Sequence, residues 1–163
     1  MQNLAELTKR LIAARVEFVL VGGFAAVAHG ALRSTQDIDI CCRFSEENLM
    51  RIQSALADLH PVHNPRTDLP LNLTPELCDR LKNLYLKTDL GIIDCLGEIL
   101  GVGDYDEVFK HSVELELPIG KCRVIDIDAL IAAKEAMNRD HDRITVRDLK
   151  EIKKRQQNIR SKN

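Results

Sequence analysis

Apolar residues Leu4, Leu7, Leu11, Ile12 and Val16 recur at helical spacing with Glu6, Lys9 and Arg10 between them, predicting an amphipathic helix over 2–15. Val16 to Val21 is a short β-rich run that stops at Gly22-Gly23. Phe24 to His29 is small and helix-compatible, with Gly30 as its terminator. A second strand is expected from Asp37 to Phe44. Ser45 then caps a helix that places Leu49, Ile52, Leu56 and Leu59 on one face. Residues 60–75 hold four of the five prolines and predict an irregular connection. Two hairpins follow: Leu84–Lys87 with Ile92–Leu96 around a Thr88–Gly91 turn, and Ser112–Leu117 with Lys121–Ile127 around Pro118–Gly120. Helices over 129–138 and about 145–157 complete the pattern. The order α-β-α-β-α-(ββ)-(ββ)-α-α implies a mixed β-sheet flanked by helices, an α/β (α+β) fold.

Composition narrows the class. The chain has 163 residues, 45% hydrophobic and 29% charged, which suits one globular domain over 1–163, with a core over 1–127 and a helical segment over 128–163. No apolar run reaches the length of a membrane span, and residues 1–4 lack the basic and apolar regions of a signal peptide, so a cytoplasmic protein without a membrane partner is expected. The five cysteines, Cys41, Cys42, Cys78, Cys95 and Cys122, include no C-x-x-C pair and sit mostly in apolar runs; they read as buried thiols. Net charge is only −2, which argues against a basic nucleic-acid coat. The balance is uneven: residues 147–163 carry seven basic against two acidic side chains, +5, leaving −7 on the rest. Such a tail could dock RNA or an acidic protein, or be a solvated helix.

Three separated features point to one chemistry. Gly22-Gly23 joins a strand to a helix, where backbone can approach a ligand and a helix N-terminus favours phosphate. Asp37-Ile38-Asp39 lies in a strand, whose period of two puts both carboxylates on one face. Carboxylates this close repel, and a hard divalent cation such as Mg²⁺ relieves the repulsion. Asp94 is the one charge in Gly91–Leu96, so a neighbouring strand would bring three carboxylates together. Such a set can hold the two metal ions of an in-line phosphoryl or nucleotidyl displacement.

The stretch Val19 to Ile40, with Gly22-Gly23 and then Arg33-Ser34-Thr35-Gln36-Asp37-Ile38-Asp39, resembles the opening signature of the nucleotidyltransferase superfamily with the DNA polymerase β-type fold. More closely, it resembles small bacterial nucleotidyltransferase-like proteins related to abortive-infection toxins. Asp94 matches the family's third carboxylate in context. Leu130–Ala136 with Lys134, then Arg139 and Arg147-Asp148-Leu149, is similar to its C-terminal helices. The resemblance implies transfer of a nucleoside monophosphate from an NTP to a hydroxyl of a protein, small molecule or RNA end, with two Mg²⁺ ions, or Mn²⁺, on Asp37, Asp39 and Asp94. It implies nucleotide contacts at Gly22, Gly23, Arg33, Thr35 and Lys134, with Thr35 chiefly organising the turn. Gly23 stands where many active members carry Ser, and Asp140–Arg143 departs from the usual helix pattern. These departures motivate an alternative, a nucleotide- or protein-binding module without turnover, such as one component of a toxin–antitoxin pair. A metal-dependent phosphohydrolase using the same carboxylates is a third reading.

Other motifs read as structural. Asp126-Ile127-Asp128 repeats the D-x-D spelling without a glycine turn, and Asp128 is expected to cap a helix. His60 and His63 lie in the proline-rich loop, His29 is expected to pack or cap, and Asp104, Asp106 and Glu107 form a solvated acidic loop.

Overall fold

A computed structural model describes residues 2–163. Helix α1 (Leu4–Ala13) starts where the Asn3 side chain accepts a hydrogen bond from the Glu6 amide, and its Leu7 and Leu11 are fully buried. Strand β1 (Phe18–Val21) is buried along its length and runs without a loop into α2 (Gly22–Ala28). The glycine pair is therefore the first turn of the helix rather than a turn preceding it. Strand β2 (Asp37–Cys42) ends two residues before Phe44 and leads to α3 (Glu46–Leu56), capped by Ser45 as expected.

The proline-rich connection is not wholly irregular, since it contains β3 (Val62–His63) and ends in α4 (Pro75–Cys78). Both expected hairpins form: β4 (Asn83–Thr88) with β5 (Gly91–Leu96), and β8 (Ser112–Leu117) with β9 (Gly120–Ile125). Between them lie a two-stranded ribbon, β6 (Glu98–Ile99) and β7 (Gly103–Asp104), and α5 (Tyr105–Lys110). Asp104 is exposed, as expected, but ends β7 instead of lying in a loop, and its side chain caps α5 through the Glu107 amide. Helix α6 (Ile127–Met137) is capped by Asp126, which accepts from the Ala129 amide at 2.7 Å. The expected cap, Asp128, instead pairs with Lys153 on α7.

Helix α7 (Asp140–Ser161) begins five residues earlier than the apolar period indicates. Asn138 takes a left-handed conformation that ends α6, and the Asp142 side chain accepts from the Arg139 amide, restarting the helix at once. Three of the seven basic residues after 146 are spent within the chain, as Lys150–Glu135, Lys153–Asp128 and Lys154–Glu151 pairs.

The strands form one seven-stranded sheet in the order β3-β4-β5-β2-β1-β9-β8. β2 pairs with β5, and β1 with β9, in parallel; the other neighbours are antiparallel. Strand alternation gives the sheet two unlike faces. Ile38, Ile40, Cys42, Leu84, Leu86, Ile93 and Cys95 share one face and are at most 2% exposed, in a core completed by Leu7, Leu11, Leu49, Ile52 and Leu56 of α1 and α3. The opposite face carries Asp37, Asp39 and Asp94. All five cysteines are free and buried. No described helix is long and apolar enough to cross a membrane.

Candidate active site

Register puts the acidic residues together. β2 and β5 run side by side with Asp39 opposite Asp94, and Asp37 lies two residues along on the same face. Each of the three offers a carboxylate oxygen, and these atoms lie within 4.8 Å of one another. Among the described residues this is the only such grouping of metal-ligating side chains. The histidines of the proline-rich connection are used otherwise: His60 pairs with Asp89 at 2.6 Å, while His63 belongs to β3. His29 hydrogen-bonds the Ile125 carbonyl, consistent with packing.

The glycine pair has two separate reasons. Gly22 has φ +66°, and Val21 faces Asp39 across the β1–β2 ladder, so a side chain at position 22 would drive into the Asp39 carboxylate. Gly23 faces Thr35 instead, where an added methyl group would stand 3.4 Å from Thr35 Oγ1. A hydroxyl therefore already adjoins the position where a serine is absent. Thr35 Oγ1 also donates to the Asp37 carbonyl at 2.8 Å, fixing the entry into β2 as expected of a turn-organising residue.

Close packing of like charges sets the electrostatics. The Asp39 carboxyl is pushed up to about 7, first by burial and then by the charges of Asp37 and Asp94, against the opposing pull of Lys134. Burial and Asp37 also raise Asp94, partly offset by its hydrogen bond with Asp39. Without a cation, protonation of Asp39 would relieve this repulsion. Divalent ions would do the same with oxygen ligands alone, so the donor set fits Mg²⁺ or Mn²⁺.

Cations approach from the C-terminal helices. Lys134 of α6 is 13% exposed, with Nζ 3.5 Å from Asp142 Oδ1. Asp142 is fully buried and takes three hydrogen bonds from Arg139: Nε at 2.6 Å, Nη2 at 3.2 Å and the backbone amide at 3.1 Å. Burial raises the Asp142 carboxyl, but the Arg139 bonds and the Lys134 charge outweigh it and hold the group below the usual range. Residues 140–143, out of pattern in sequence, thus contain the anchor of Lys134 and Arg139. Arg147 is exposed and Asp148 lies a further helical turn and a half beyond that anchor; the charged pair beside Lys134 is Arg139–Asp142. Arg33 reaches the His141 carbonyl at 3.4 Å, tying the β2 approach to the start of α7.

A cavity of about 300 Å³ opens beside the carboxylates. Gly22, Asp39, Lys134 and Arg139 provide its polar end, Leu96, Leu130 and Met137 belong to its apolar walls, and Asn83, Tyr85 and Glu98 line its outer side. Gly23, Arg33, Thr35, Asp37 and Asp94 are not among its lining residues. Asn83 and Tyr85 escape sequence reasoning, although the alternation Asn83-Leu84-Tyr85-Leu86 places them on the Asp94 face once β4 is paired with β5.

Known folds decide what this arrangement is. A Thermotoga maritima protein assigned as a nucleotidyltransferase superposes with a TM-score of 0.57 at 19% identity, over 89% of this chain and 88% of its own. The antibiotic-resistance factor ANT(2″)-Ia, crystallised with adenylyl-2″-tobramycin, gives 0.57 at 14% identity over 98% of each chain. This chain has the nucleotidyltransferase fold. The solution structure of ANT(2″)-Ia agrees, with a TM-score of 0.57 at 14% identity over 98% of this chain and 92% of that one. No family model matches the sequence, and no curated protein matches it. The nucleotidyltransferase fold is thus recognised here from three-dimensional similarity, together with a metal-capable carboxylate cluster on its sheet.

Proposed function

We propose that the protein is a metal-dependent nucleotidyltransferase that moves a nucleoside monophosphate from an NTP to a hydroxyl acceptor. The observation that carries this reading is the meeting of Asp37, Asp39 and Asp94 within 4.8 Å beside a glycine-opened helix. Support also comes from ANT(2″)-Ia, a neighbour in fold that was crystallised with an adenylylated aminoglycoside.

In this reading Asp37 and Asp39 would hold one ion, and Asp39 and Asp94 would hold a second. Two Mg²⁺ ions, when bound there, would acidify the acceptor hydroxyl and offset charge on the phosphates. Asp94, raised and half-buried, accepts the hydroxyl proton. Gly22 and Gly23 leave backbone amides free at the start of α2 for phosphate oxygens. Lys134 and Arg139 face the same cavity and add positive charge, kept in place by Asp142. Arg33 acts at one remove, through the carbonyl of His141.

The test is incubation of the full chain with Mg²⁺, α-labelled NTPs and a panel of protein, small-molecule and RNA acceptors. Label transfer with release of diphosphate is expected, and Asp37→Ala/Asp39→Ala should abolish it. Transfer by the double variant equal to that of the wild type would overturn the reading. Release of inorganic phosphate without transfer would point to a hydrolase instead.

A further inference from the structure

The chain has two tyrosines, and their surroundings differ sharply. Tyr105 is 8% exposed, with the Arg43 guanidinium 4.8 Å from its ring centre. Tyr85 is 44% exposed, and among the described residues its hydroxyl has no hydrogen-bond partner. It sits on β4 directly opposite Asp94. Residues so paired in an antiparallel ladder carry their Cβ atoms about 5 Å apart on the same face. The row across the sheet is therefore Tyr85, Asp94, Asp39, on strands β4, β5 and β2.

Strand alternation explains the placement. Leu84, Leu86 and Thr88 point into the core, so Asn83, Tyr85 and Lys87 must face the acidic side. Tyr85 lines the same cavity as Asp39, Gly22, Lys134 and Arg139. A phenol is longer than a carboxylate by the length of its ring, so the Tyr85 side chain reaches further from the sheet than Asp94 does, and it lines the cavity. An exposed hydroxyl on the residue paired with a proton-accepting carboxylate has the attributes required of an acceptor.

We propose that Tyr85 is itself an acceptor and that the NTP-loaded chain transfers a nucleoside monophosphate onto it, an activity that rests on the nucleotidyltransferase reading above. The Tyr85 oxygen bonds to the α-phosphorus of the NTP. The bond from that phosphorus to the oxygen bridging the β-phosphorus breaks, diphosphate leaves, and the phenolic proton passes to the Asp94 carboxylate. Transfer within one chain fits the geometry, because Tyr85 and Asp39 line one cavity and Asp94 stands between them in the sheet row. The cavity, at about 300 Å³, lies at the small end of the range for ligand pockets and has room for one modified side chain.

The experiment incubates the full chain with Mg²⁺ and each α-labelled NTP, without any other acceptor, and reads intact mass and the modified peptide. One nucleoside monophosphate per chain is expected, on Tyr85, at a rate per chain that does not change on dilution. Tyr85→Phe, checked for an unchanged thermal transition, should lose the label, as should Asp37→Ala/Asp39→Ala. An unmodified Tyr85 in the wild type, or full labelling of Tyr85→Phe, overturns the proposal. If Tyr85 stays unmodified here while the acceptor panel of the transfer test is labelled in a parallel incubation, self-transfer alone fails. If neither Tyr85 nor any acceptor of that panel is labelled, the nucleotidyltransferase reading fails with it.

Discussion

Two residues at the site are fixed by close neighbours. Gly22 occupies a left-handed conformation with the Asp39 carboxylate where a Cβ would be. Gly22→Ala should therefore destabilise the protein by about 1–3 kcal/mol, measured as a lower denaturant midpoint, and should lower transfer by displacing Asp39. Gly23→Ala, whose added methyl meets only Thr35 Oγ1 at 3.4 Å, should cost less. Asp39 has a folded-state pKa of about 7 against 3.8 for the free side chain. The folded metal-free chain therefore holds more protons than the unfolded chain between those values. Its stability should fall as pH rises from about 4 to about 7. Asp39→Asn should flatten that slope, seen in denaturant midpoints collected across the interval, and added Mg²⁺ should oppose it in the wild type alone.

Elements differ in how much of them the chain's pattern discloses. The β4–β5 and β8–β9 hairpins are legible because alternation and turn residues are local signals, and the Ser45 cap of α3 is legible for the same reason. The start of α7 is not. Its first turn is polar, and its reason for being helical is Asp142, which caps the helix and binds Arg139 and Lys134. A fully buried carboxylate looks in sequence like any surface acid until its partners are known. Asp104 reads as a loop charge and Asp126 loses the cap to its neighbour Asp128 in the sequence pattern, although both cap helices. Asp142→Ala should remove the cap and leave Lys134 without its counter-ion, costing about 2–4 kcal/mol. Because the Asp142 carboxyl is held below its unfolded value, its stabilisation is complete above about pH 4 and is lost as pH falls through the lower folded value. The variant should show a weaker acid limb in its pH–stability curve. Its transfer rate should fall more than its fold loss explains, because Lys134 and Arg139 lose their common anchor.

At the scale of the molecule, the site joins segments that lie far apart in sequence: residues 22–39, residue 94 and residues 134–142. D-x-D spacing by itself puts Asp37 and Asp39 together, but Asp94 joins them only because β5 lies parallel to β2 in the register Asp39–Asp94. That pairing passes over two helices and two strands, so no local window contains it. The resemblance over 19–40 supplies the expectation of a third acid, and the sheet order supplies the place. Tyr85 enters by the same route, one strand further out. The basic end of α7 is partly neutralised by Glu135 and Asp128 of α6, which the charge count along the chain does not reveal. The central claim is that these three carboxylates together hold divalent ions against a nucleotide. The most direct measurement is a crystal structure of the chain soaked with Mn²⁺ and a non-hydrolysable NTP, using the anomalous signal of the metal. The account predicts Mn²⁺ peaks bridging Asp37, Asp39 and Asp94, with the triphosphate lying between Gly22 and Lys134. Metal bound elsewhere, or a nucleotide seated away from these acids, would contradict it.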